Sequence, residues 1–100
     1  MLKHIVMWKL RDFAEGANKE ENALKIKTRL ESLKNKIKGI KVIEIGIDTK
    51  NTEESYDIVL YSEFESKADL VRYLDHPEHK KIGDFISKVR LERKVVDYEV

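Results

Sequence analysis

The segment KHIVMWKL, residues 3–10, constrains this chain more than any other stretch. Side chains alternate along an extended backbone, so His4, Val6, Trp8 and Leu10 point one way and Ile5, Met7 and Lys9 the other. Both sets are mostly apolar. A strand apolar on both faces must be covered on both faces. The 100 residues form one domain, 1–100, with one core. A chain of this size leaves a large apolar share of its surface exposed, so a second copy would help it.

The hydrophobic period switches along the chain. Over residues 18–38, Ala23, Ile26, Leu30, Leu33 and Ile37 recur in steps of three and four among lysines and glutamates, which predicts a helix. Gly39 is placed to end it. Residues 40–48 alternate again, with Ile43, Ile45 and Ile47 on one face and Val42 and Gly46 on the other. DTKNTEES is a polar turn. Residues 56–64 form a third strand, with Tyr56, Ile58, Leu60 and Phe64 on one side and Val59 and Tyr61 on the other.

Ser66 starts SKAD, a capping-box-like helix beginning. Leu70, Val71 and Leu74 give the inner face of that helix, with Tyr73 at its rim. Pro77 starts a helix well but does not continue one. The second helix therefore ends near Asp75, and a third runs from Pro77 to about Lys88 with Ile82, Phe85, Ile86 and Val89 inward. RLERKVVDYEV closes the chain as a fourth strand.

The order β-α-β-β-α-α-β is that of a ferredoxin-like α+β fold: an antiparallel four-stranded sheet with helices on one face. The other face is left uncovered, and the simplest cover is the same sheet of a second copy, giving a homodimer. Ile43 and Ile45 are expected on that interface, where an aspartate should dissociate or unfold the protein.

Composition excludes several functions. Hydrophobic residues at 41% beside charged residues at 39% make a globular chain and not a disordered one. A net charge of +1 supplies no field to gather nucleic acid or an anionic membrane. The lysines of KIKTRLESLKNKIK are interspersed with acids and lack an aromatic platform, so they read as a solvated face. No cysteine is present, which removes disulfides and thiolate chemistry and fits a reducing compartment, the cytoplasm. No apolar run approaches a membrane span. The opening MLKHIVMWKL is broken by Lys3, His4 and Lys9 with no small-residue cleavage site after it, and reads as a strand and not a signal peptide.

YLDHPEH, residues 73–79, concentrates two of the three histidines and the single proline. His76 precedes Pro77, which pushes it out of helical geometry into a capping position, so both residues read as a structural joint. His79 lies three residues before Ile82 and seven before Ile86, on their inward face. An imidazole there suits proton transfer, because its ordinary pKa is about 6.5. The same position also suits a histidine merely hydrogen-bonded within the core. His76 and His79 have the spacing of two metal ligands, but no cysteine or acid completes a set, and no metal or cofactor is expected.

Together KHIVMWKL, YDIVLYSEFES, YLDHPEH and VVDY resemble the stress-responsive A/B barrel domain, or Dabb, family over nearly the whole chain. The resemblance implies a homodimer whose two sheets face each other as an α/β barrel, and a stress association for some plant members. Most members have no established activity. One plant branch is a polyketide cyclase, in which a tyrosine and a histidine matching Tyr73 and His79 carry out acid–base chemistry between sheet and helices. On that pattern His79 is the general base and Tyr73 the hydrogen-bond donor. His4, Val6, Trp8, Ile58, Leu60, Ile82 and Phe85 line the pocket, and the ligand is small and apolar or carbonyl-containing. The first helix departs from the cyclase pattern, since NALKIKTRL has no aromatic residue. Two other readings stand beside it: a non-catalytic stress or ligand-binding protein, and a monooxygenase by fold analogy alone.

Overall fold

The computed structural model describes residues 1–100. Four long strands, β1 (Leu2–Leu10), β4 (Ile40–Ile47), β5 (Ile58–Phe64) and β6 (Arg90–Glu99), pair antiparallel in the order β4-β5-β1-β6. Three helices, α1 (Lys19–Ser32), α2 (Lys67–Asp75) and α3 (Pro77–Val89), complete a ferredoxin-like α+β fold. A two-stranded hairpin, β2 (Phe13–Ala14) and β3 (Ala17–Asn18), precedes α1.

That hairpin is absent from the sequence reading. Its turn holds Glu15 and Gly16 at positive φ, 50° and 76°, a backbone that glycine adopts freely and glutamate rarely. Asn22 ties it down: its buried Nδ2 donates to the carbonyls of Ala14 and Ala17 at 3.0 and 3.4 Å. Asn18 then caps α1, accepting from Glu21 N–H at 2.8 Å while Glu21 accepts from the Asn18 amide at 3.2 Å. This reciprocal box satisfies two of the donors a helix start leaves free.

The first helix is shorter than its hydrophobic spacing predicts. It ends at Ser32 and tightens into a 3-10 turn, Leu33–Asn35. Leu33 and Ile37 remain buried, because the chain keeps turning over the same face of the sheet. Gly39 follows at φ 96°, a backbone that favours glycine, and a Cβ there would also crowd the Asp69 side chain at 3.1 Å.

The sheet turns Val6, Trp8, Ile45, Ile58, Leu60 and Phe64 toward the helices. The expected placement of Ile43 and Ile45 on the open face is therefore corrected. Ile45 pairs with Leu60 and Ile43 with Ser62, both helix-facing positions, and Ile45 is fully buried within one protomer. A bulge between Ile40 and Val42 adds a residue to β4, so Ile40 joins the odd-numbered isoleucines on one face. The open face instead carries Ile5, Met7, Val42, Val59, Tyr61, Val96 and Tyr98, of which Met7, Val42, Val96 and Tyr98 are exposed.

The inner face of α2 is also corrected. Tyr73 lies at its centre, fully buried beside Leu70, whereas Val71 is exposed. Tyr73 follows Leu70 by three residues and shares its stripe. No helix is long and apolar enough to cross a membrane.

Candidate functional site

A cavity of about 170 Å³ opens between the helix-facing side of β1 and the inner face of α3. His4, Val6, Trp8, Leu60 and His79 of the expected set line it. The others lie elsewhere. Ile58 is buried core paired with Ile47, Ile82 packs into the core, and Phe85 is half-buried under the Arg29 guanidinium, 4.7 Å from its ring centre. Leu30, Gly83, Ile86, Ser87, Arg90 and Arg93 complete the wall.

The joint in YLDHPEH aims His79. Ser66 accepts from Asp69 N–H at 3.2 Å to start α2. His76 then stands in extended geometry before Pro77, and its Nδ1 accepts from Glu78 N–H at 3.1 Å, capping α3. The imidazole of His79, one turn on, has its Nδ1 3.2 Å from the Leu74 carbonyl. A carbonyl only accepts, so Nδ1 carries the proton and Nε2 keeps its lone pair in the neutral ring. Burial lowers the His79 pKa below its ordinary value. Nearby His4, Arg93 and His76 disfavour the protonated form further, against the opposing Leu74 hydrogen bond. At neutral pH the ring is therefore an uncharged acceptor.

Tyr73 is packed against Phe64, His79 and His4, with ring centres 5.2, 4.5 and 6.3 Å away. Its hydroxyl is buried and has no hydrogen-bond partner. Burial raises its pKa far above the usual phenol value, so it stays protonated and keeps its O–H as a donor. Tyr73 stands behind His79 and does not itself line the cavity.

Sequence reasoning missed the partner of His4. Asp97 faces it across the β1–β6 ladder, and Asp97 Oδ1 lies 2.5 Å from His4 Nδ1. His4 is almost wholly buried while Asp97 is 42% exposed on its side chain. A carboxylate holding Nδ1–H leaves Nε2 as the acceptor, as it does for His79. The signal was in VVDY: with the last strand antiparallel to the first, an acid at that phase can meet His4. Arg90 and Arg93 were missed because the end of α3 and the phase of β6 decide where they point. No three acidic or histidine side chains converge to hold a metal.

A family model described as Stress responsive A/B Barrel Domain matches residues 2–100. A dimeric protein of unknown function and ferredoxin-like fold from Bacteroides fragilis is 37% identical, with a TM-score of 0.84 over 99% of this chain and 95% of that one. The hydroxynitrile lyase of Passiflora edulis is 16% identical, with a TM-score of 0.81 over 99% and 92%. An antibiotic biosynthesis monooxygenase is 15% identical, with a TM-score of 0.74 over 100% and 98%. At such identities the lyase and the monooxygenase show the fold alone. No curated protein matches the sequence.

Proposed function

We propose a function from one premise: the chain belongs to the stress responsive A/B barrel domain family. The protein takes a small molecule into the cavity between β1 and α3 and performs cyclase- or lyase-like acid–base chemistry on it. His79 Nε2 accepts the proton. Tyr73, packed 4.5 Å behind the His79 ring and outside the cavity wall, positions that imidazole by ring contact and does not reach the ligand. His4, oriented by Asp97, supplies a second imidazole on the strand side.

The observation that carries this reading is the convergence of two imidazoles, each held through Nδ1, on one cavity. The size of the cavity favours a second reading, a non-catalytic protein in which His79 is a core residue: about 170 Å³ is below the usual ~300–1,000 Å³ of ligand pockets.

The protein works as a homodimer in the cytoplasm. The Bacteroides fragilis relative is dimeric, and the apolar open face around Met7, Val59 and Val96 has the character of an interface. The cysteine-free sequence supports a reducing compartment.

The test is a thermal-shift screen of small carbonyl compounds on the parent and on His79→Ala. Ligands that protect the parent and not an intact His79→Ala dimer support the reading. A parent that no ligand protects, with His79→Ala merely less stable, overturns it in favour of a core histidine.

A further inference from the structure

The wall of the cavity is electrically one-sided. Its eleven lining residues include two arginines and two histidines but no carboxylate. Arg90 begins β6, and Arg93 lies on its helix-facing phase opposite Trp8. Neither guanidinium forms an ion pair, although nine lysine– or arginine–carboxylate pairs occur across the fold. Asp97 is engaged with His4 Nδ1 and does not reach the cavity. The rest of the wall is Val6, Trp8, Leu30, Leu60 and Ile86, with Gly83 and Ser87 of α3.

We propose that the ligand is a small organic carboxylate, with its apolar body against Trp8, Leu60 and Ile86 and its carboxylate at Arg90 and Arg93. This rests on the cavity being a ligand site, as argued above, and adds the charge class of what it takes. Arginine suits the task because its planar fork meets both carboxylate oxygens. The field of Arg93 already reaches the site, since it helps hold the His79 pKa down. The volume sets the size: an apolar cavity of about 150 Å³ accepts benzene, so a body of one ring or a branched aliphatic chain fits.

The test is calorimetric titration of the parent with isobutyrate, benzoate and phenylacetate, each beside its primary amide. An amide keeps the shape and removes the charge. At least one acid should bind about tenfold more tightly than its amide. Arg93→Gln and Arg90→Gln should each weaken that acid about five- to tenfold, leave the amide unchanged, and leave the circular dichroism and dimer intact. Added salt should erode the preference. Equal binding of acids and amides overturns the carboxylate proposal and leaves the ligand site standing. Acid binding that survives both substitutions also overturns it. No binding by any of the six probes overturns both.

Discussion

His4 on β1 and Asp97 on β6 meet across the edge of the sheet, Nδ1 to Oδ1, at 2.5 Å. This contact joins the first strand to the last strand of the chain through residues 93 apart. It fixes which nitrogen of His4 is left for the cavity. Asp97→Asn keeps the shape but offers an amide that can present either atom. Long-range proton–nitrogen NMR should show His4 as the Nδ1–H tautomer in the parent and a mixture in Asp97→Asn. A single unchanged tautomer in both would show that Asp97 does not set it.

The depressed pKa of His79 has a consequence for stability. In the unfolded chain it titrates at about 6.5, and in the folded protein it titrates lower. Above about 6.5 both states are neutral there and nothing is lost. As pH falls below that value the unfolded state takes up the proton first, so stability declines until the folded pKa is reached. The NMR titration midpoint of His79 should lie below 6.5. A midpoint at or above it would contradict the assigned burial effect.

Tyr73→Phe separates packing from function. It keeps the ring contacts with Phe64 and His79 and removes a buried hydroxyl that has no partner. Such a group costs about 1–3 kcal/mol, so the variant should match or exceed the parent in melting temperature. Ligand turnover should be unchanged, because the hydroxyl does not reach the cavity. A clear loss of stability would mean that the hydroxyl is satisfied in solution.

Aspartate substitutions distinguish the two faces of the sheet. Met7→Asp places a charge on the exposed open face and should shift the protein from dimer to folded monomer in sedimentation. Ile45→Asp buries an unpaired carboxylate among the core residues and should cost more than ~4 kcal/mol, enough to unfold the protomer. A Met7→Asp protein that sediments as a dimer would remove the open face as the interface.

Gly83 lines the cavity on α3, and an added Cβ meets nothing within 4 Å. Gly83→Ala should therefore stabilise the helix by about 0.5–1 kcal/mol. Gly83→Leu should keep the fold while occluding the cavity, so that ligands protecting the parent no longer raise its melting temperature. Full protection of Gly83→Leu would place the ligand elsewhere.

The sequence by itself determined the four long strands, the three helices, their order and the joint at His76–Pro77, but not the short hairpin before the first helix. Those follow from local rules: alternation in KHIVMWKL, the 3.6-residue stripe of Ala23, Ile26 and Leu30, and the restriction proline imposes on its neighbour. The inward aim of His79 was legible for the same reason, because helical spacing ties it to Ile82 and Ile86. Tertiary structure decided what depends on phase between elements. Alternation says that Ile43 and Ile45 share a face but not which face, and the bulge after Ile40 sets that through pairing with β5. It buried Tyr73 and exposed Val71, because the angle at which α2 lies on the sheet chooses among adjacent residues. It also brought Asp97 to His4 and placed Arg90 and Arg93 at the cavity. Those contacts exist only through the register of β6 on β1, and the energy that fixes a register is spread over the whole ladder and not written in any short stretch of the chain.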